Sequence, residues 1–127
     1  MIFVDTNYFL RFFLADSEEQ YRIAKKLISE AAVGRFSIFT STIVVFEIYW
    51  VLRSYYQRDK KQIFETLEDF LDLAFIQLEE RERLRRCLEM FRNSNLSLMD
   101  CYNLVFARDS EAKVFKTFDK KLAKYFP

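Results

Sequence analysis

The sequence predicts an α/β fold, a three-layer α/β/α sandwich around a short parallel sheet of about four strands. Three observations point there. Four β-type runs (Ile2-Phe3-Val4, Phe36 to Phe39, Leu73 to Leu78 and Val114 to Phe118) are separated by segments whose apolar residues recur at helical spacing. Helices between every pair of strands imply parallel pairing. Finally, a chain of 127 residues that is 51% hydrophobic and 18% aromatic can build a packed core, and one glycine and one proline exclude low-complexity and collagen-like chains. Residues 1–127 read as one domain, with no linker or internal repeat.

The elements follow in order. After Ile2-Phe3-Val4 come Asp5-Thr6-Asn7, residue types that favour turns and N-caps, and then a short apolar helix over Tyr8 to Leu14. Ser17 with Gln20 fits a capping box for a helix carrying Tyr21, Ile23, Ala24, Leu27, Ile28 and Ala31 on one side, and Gly34 marks its end. Phe36 to Phe39 reads as a strand buried on both faces. Ser41 or Thr42 caps a buried helix from Ile43 to Tyr56, and Gln57 to Lys61 is a charged connection. Ile63, Phe64, Leu67, Phe70 and Leu71 form the next amphipathic helix. Leu73 to Leu78 reads as a third strand, with helix as the alternative. Glu79 to Phe91 is a charged helix with Leu84, Leu88 and Phe91 on one face, broken by Asn93-Ser94-Asn95. Ser97 to Arg108 is helical, Val114 to Phe118 is a fourth strand, and Asp119 starts a last helix.

What is missing narrows the chemistry. Without histidine, Ser-His-Asp, Cys-His and His-ligated zinc sites cannot be built. With Gly34 alone, neither a dinucleotide fingerprint nor a P-loop can be written. Cys87 and Cys101 form no C-x-x-C pair and read as free, partly buried thiols. Carboxylates, hydroxyls, amides and a hard metal ion remain. The net charge of +1 carries no global polyanion signature. The N-terminus lacks the basic region and cleavage site of a signal peptide. Phe36 to Leu52 is too short for a membrane span and is interrupted by Ser37, Thr40, Ser41 and Thr42. The expectation is a cytoplasmic protein with no membrane partner.

Most acids lie in charged stretches such as Glu79-Glu80-Arg81-Glu82-Arg83, where Arg81 to Arg86 read as a solvated face. Four acids stand against apolar sequence: Asp5, Glu47, Asp100 and Asp119. Asp5 ends the first strand, where ligands of parallel sheets bind, and it can equally cap the next helix. Glu47 interrupts Ile43-Val44-Val45-Phe46 and Ile48-Tyr49-Trp50-Val51-Leu52; a helix apolar all round is buried, and a buried carboxylate needs a partner such as Arg53, a proton or a metal. Asp100 follows Ser97 in a capping-box pattern, and Asp119 sits at an N-cap. In a parallel sheet Asp5 and Asp119 share one edge, and the helix start bearing Asp100 faces it. Carboxylates that converge there repel unless a cation joins them, and without His or Cys the suited ions are Mg²⁺ or Mn²⁺. Water activated by such an ion beside a phosphodiester is the reaction this chemistry serves best. Thr6, Asn7, Ser97, Asn103 and Thr117 are candidates to orient ligands or waters.

Phe3-Val4-Asp5-Thr6-Asn7, Val45-Phe46-Glu47, Leu96-Ser97-Leu98-Met99-Asp100 and Thr117-Phe118-Asp119, in this order and spacing across nearly the whole chain, resemble the PIN-domain family, most closely its VapC-type toxin ribonucleases. The resemblance implies a PIN-like fold and an endoribonuclease whose Asp5, Glu47, Asp100 and Asp119 bind Mg²⁺ or Mn²⁺ and hydrolyse RNA, with Thr6 and Asn7 carried over from the motif after the first Asp. It also implies a homodimer and a small cognate antitoxin protein that blocks the site. Family members continue past the fourth acid into another strand, whereas this sequence runs to Phe126-Pro127, so a four-stranded sheet is expected. Lys116, Lys120 and Lys121 are candidate RNA contacts, and Tyr49, Trp50, Tyr55 and Tyr56 are candidate interface anchors. Two other readings compete: a catalytically silent PIN-like RNA- or protein-binding module, which the intact acid quartet argues against, and a phosphohydrolase of the haloacid dehalogenase type, which needs an Asp where Asn7 stands.

Overall fold

In the computed structural model, which describes residues Met1–Pro127, three two-residue strands form a parallel sheet in the order β1 (Ile2–Phe3), β2 (Ile38–Phe39), β3 (Ile76–Gln77). Ile2, Ile38 and Ile76 align across the sheet, as do Phe3, Phe39 and Gln77. Seven helices complete the chain, so the expected α/β class and parallel pairing hold. The chain divides into two compact units, Met1–Glu79 and Glu80–Pro127.

The first unit holds the sheet and α1 (Thr6–Leu14), α2 (Glu18–Ala32), α3 (Thr42–Ser54) and α4 (Lys60–Leu71). Phe9, Leu10, Ile38, Ile48, Tyr49, Leu52, Leu67, Phe70 and Ile76 are buried. Phe9 and Phe70 meet edge to face at 4.8 Å, which joins α1 to α4 with an aromatic contact stronger than area burial alone. At the end of α2 the Arg35 N–H donates to the Glu30 carbonyl and the Gly34 N–H to the Ala31 carbonyl, a Schellman turn that requires the φ of +85° found at Gly34. Asp59 and Gln62 form a reciprocal capping box at the start of α4, so the helix begins within the stretch, Gln57 to Lys61, expected to be a connection.

The second unit pairs α5 (Arg81–Arg92) with α6 (Leu98–Asp109) and ends in α7 (Lys120–Ala123). Leu84, Cys87, Leu88 and Phe91 from α5 and Leu98, Cys101, Leu104 and Val105 from α6 are buried, joined by Leu96 before α6 and Leu122 on α7. Both cysteines are free, as expected, and burial pushes the Cys87 thiol up to about 12. Arg86 grips Asp109 with both terminal nitrogens (2.8 Å each), and Arg83 reaches Asp109 at 2.9 Å and Glu80 at 2.6 Å. Arg83 and Arg86 are therefore held in ion pairs on the helix face expected to be solvated, where Arg86 remains exposed.

Other expectations are corrected too. Val114 to Phe118 is not a strand: Val114 and Phe118 face solvent, the Phe115 ring packs on Phe126 at 5.4 Å, and the Thr117 hydroxyl accepts the Asp119 N–H at 3.0 Å. Such local side-chain-to-backbone bonds compete with a ladder. The second strand is confined to Ile38–Phe39, with Ser37 exposed and Phe39 half-buried. Ser17 occupies the N-cap of α2 without a side-chain bond, and Glu18 and Glu19 complement the helix dipole there instead. Tyr49 is a core residue at 1% exposure rather than an interface anchor, whereas Trp50 and Tyr55 are exposed.

Two predictions follow from this architecture. Gly34→Ala meets no neighbouring atom but must adopt a left-handed backbone, so it should cost about 1–2 kcal/mol in urea unfolding with an unchanged m-value. The guanidinium groups of Arg86, then Arg83, hold the Asp109 carboxyl well below the usual carboxylate range. A carboxyl depressed in the folded state stabilises fully above its unfolded value, near pH 4, and loses that contribution as the pH falls towards the folded value. Asp109→Asn should therefore melt lower than wild type at neutral pH and show a shallower fall in melting temperature below about pH 5, read by circular dichroism.

Candidate metal centre

The site in the first unit begins where the strands end. The Val4 N–H donates to the Phe39 carbonyl at 3.0 Å, and the Thr40 N–H to the Gln77 carbonyl at 3.0 Å. The buried Thr40 hydroxyl donates back to the Val4 carbonyl at 2.8 Å, which fixes the backbone just before Asp5. Sequence reading missed Thr40; its only signal was a hydroxyl residue directly after an apolar strand.

Asp5 leaves β1 in an extended conformation and caps α1, its Oδ1 accepting the Thr6 N–H at 2.8 Å. The capping reading thus holds. Thr6 is 6% exposed, and its hydroxyl lies 3.0 Å from Glu47 Oε1 and 3.4 Å from Asp5 Oδ1. A hydroxyl has one proton, so the shorter contact to Glu47 is the stronger bond. Glu47 comes from α3, whose start is fixed by Ser41 Oγ accepting the Val44 N–H at 3.4 Å.

Glu47 is exposed, which corrects the expectation of a buried carboxylate. The helix is not apolar all round in space: Ile43 and Trp50 face solvent with Glu47, while Val44, Val45, Ile48, Tyr49 and Leu52 are buried. Arg53 does not pair with it either, donating instead to the Tyr49 hydroxyl at 3.0 Å. Burial therefore does not force a partner on Glu47. Its placement on the Thr6 hydroxyl, shared with Asp5, is what marks it.

No lysine or arginine pairs with Asp5 or Glu47, and Asp5 Oδ2 and Glu47 Oε2 carry no hydrogen bond. By contrast, Asp16 is paired with Arg11 at 2.7 Å, and Asp109 and Glu80 with Arg83. Two neighbouring carboxylates without a counter-charge repel each other, and oxygen donors of this kind suit a hard divalent cation. The donor set of Asp5 and Glu47 fits such an ion, although no group of three or more acidic or sulfur side chains is assembled as a ready-made metal site.

In the second unit, Ser97 caps α6 by accepting the Asp100 N–H at 3.1 Å. The Asp100 carboxylate is half-exposed and unpaired, and Asn103 stands exposed one turn on. Asp119 caps α7, its Oδ1 accepting from the N–H groups of Lys121 (2.9 Å) and Leu122 (3.0 Å). Thr117 orients Asp119 through the backbone rather than from a strand face. Lys116, Lys120 and Lys121 are exposed and form no ion pair, and Asn7 is exposed on α1.

The PIN domain family profile matches residues 2–126, spanning both units, and the chain belongs to the PIN-domain family. It is similar to the VapC ribonuclease of Aquifex aeolicus (strain VF5), at 22% identity over 124 residues, which cover 98% of this chain and 91% of that relative. No solved structure is significantly similar.

Because Asp5 is both a cap and an acid, its two roles separate by substitution. Asp5→Ala should lose about 1 kcal/mol of stability in urea unfolding, whereas Asp5→Asn, which still caps, should stay within about 0.5 kcal/mol of wild type.

Proposed function

We propose that this protein is an endoribonuclease of the VapC type, hydrolysing RNA phosphodiester bonds with Mg²⁺ or Mn²⁺ and serving as the toxin of a toxin–antitoxin pair in the cytoplasm. The observation that carries this reading is the Asp5–Thr6–Glu47 arrangement, two carboxylates on one hydroxyl with free oxygens and no cation of the protein to neutralise them. Membership of the PIN family and the likeness to a VapC ribonuclease support it.

In this reading Asp5 and Glu47 would hold the ion, and the likeness to the PIN family assigns the same role to Asp100 and Asp119. When bound, the ion polarises the phosphodiester and acidifies the attacking water. Thr6 fixes the orientation of Glu47 by donating a hydrogen bond to its Oε1. Thr40 holds the strand end from which Asp5 projects. Ser97 and Thr117 steady the backbone at Asp100 and Asp119, and the Asn103 amide would orient water. Lys116, Lys120 and Lys121, exposed and unpaired, receive the RNA phosphates, positioning the strand without reading its sequence. A homodimer and a small antitoxin protein that covers the acids belong to the same proposal, with the exposed Trp50 and Tyr55 as contact residues.

The purified protein should cleave single-stranded RNA in the presence of Mg²⁺ or Mn²⁺ and stop when EDTA is added. Asp5→Asn and Glu47→Gln should each lower the cleavage rate about 10²-fold or more while keeping the wild-type circular dichroism spectrum, because removing a repelling charge does not unfold the site. Cleavage by both variants at the wild-type rate would overturn the proposal.

A further inference from the structure

Between α1 and α2 lies a cleft of about 340 Å³, lined by Asn7, Tyr8, Arg11, Gln20, Ile23 and Ala24. That volume lies at the lower end of the range for small-molecule sites. Asn7 and Tyr8 stand in the first turn of the helix that Asp5 caps, so part of the cleft lining follows directly along the chain from one of the two acids.

The chemistry of the lining selects an occupant. Arg11 donates to Asp16 Oδ1 at 2.7 Å and to the Tyr56 hydroxyl at 3.2 Å, and that hydroxyl donates to Asp16 Oδ2 at 2.7 Å. Its charge is already compensated, so the cleft is poorly suited to a bare phosphate. The Asn7 and Gln20 amides make no hydrogen bond, which leaves donors and acceptors of both open to a ligand. The Tyr8 ring is 42% exposed and stacks on no aromatic ring of this chain, and Ile23 and Ala24 supply apolar lining. A neutral, planar ring with hydrogen-bonding edges satisfies all of these groups together.

We propose that the cleft between α1 and α2 is a nucleobase subsite for single-stranded RNA, with Tyr8 as the stacking platform and Asn7 and Gln20 reading the base edge. The proposal rests on the reading that RNA is the substrate, and it names what gives that substrate its preference at the nucleotide next to the acids. Stacking is tolerant of sequence because every base has a π-face, whereas the two amides discriminate between edges.

The test uses the full chain carrying Asp5→Asn, which keeps the RNA intact, with Mg²⁺ present. Labelled octamers of A, C, G and U, and an abasic octamer with the same phosphates, are titrated by fluorescence anisotropy. Adding Tyr8→Ala should weaken binding of the favoured octamer about 5- to 100-fold and leave the abasic octamer unchanged, while Tyr8→Phe retains affinity. Adding Gln20→Ala should narrow the differences among the four octamers. Melting temperatures check that these surface substitutions leave the fold intact. Octamer binding that is indifferent to both Tyr8→Ala and Gln20→Ala, or absent altogether, overturns the subsite, as does an equal loss on the abasic octamer. Wild-type cleavage is followed in parallel: cleavage with Tyr8-independent binding sinks the subsite alone, and Tyr8-dependent binding without cleavage sinks the nuclease reading alone.

Discussion

The first unit is organised around one proton held between two acids. Thr6 contributes a hydrogen bond to Glu47 at 3.0 Å but no charge, so the Asp5 and Glu47 carboxylates stay close and under-neutralised. That placement depends on a short series of backbone constraints. The Val4 and Thr40 amides tie the three strand ends together, the Thr40 hydroxyl clamps the Val4 carbonyl, and Asp5 then turns the chain into α1. Phe9 on α1, packed edge-on against Phe70, holds the helix that carries Thr6. A sheet of two-residue strands is thin, and these side-chain ties give its edge the rigidity that a longer ladder would otherwise provide.

The chain uses its carboxylates in two distinct ways. Asp16 and Asp109 are matched by arginines and serve cohesion: Asp109 receives Arg83 and Arg86 and fastens α5 to α6. Asp5 and Glu47 have no such partner. Pairing an acid with a guanidinium lowers its affinity for any other cation, since the charge is already met. The distribution of arginine therefore separates acids that hold the fold from acids left available to a ligand, a distinction that burial alone does not make, because Glu47 is as open to solvent as many structural acids.

How much of this the sequence discloses depends on how far apart the interacting residues are. Asp5, Ser97 and Asp119 are legible as caps because an N-cap is decided within three residues. The buried stripe of α5, Leu84, Leu88 and Phe91, is legible because helical periodicity is local. Val114 to Phe118 misleads, because β-type composition says nothing about whether a neighbouring edge is available. Glu47 is singled out for a reason that the structure overturns: apolar neighbours along the chain suggest burial, yet Glu47 is exposed and Ile43 and Trp50 share its open face. The Thr6 bond to Glu47 spans 41 positions, and the Arg86 grip on Asp109 spans 23, so neither leaves a local pattern to read. The four motifs in order carry the family membership, and the family profile over residues 2–126 bears it out.

The two sulfur atoms have a practical consequence. Cys87 and Cys101 are wholly enclosed, and burial raises the Cys87 thiol to about 12, which disfavours the thiolate at neutral pH. Oxidants and alkylating reagents act on the exposed thiolate, so the fold shields both sulfurs from them. Any disulfide-linked species on a non-reducing gel then reports molecules that have opened, which makes cross-linking a built-in gauge of the unfolded fraction.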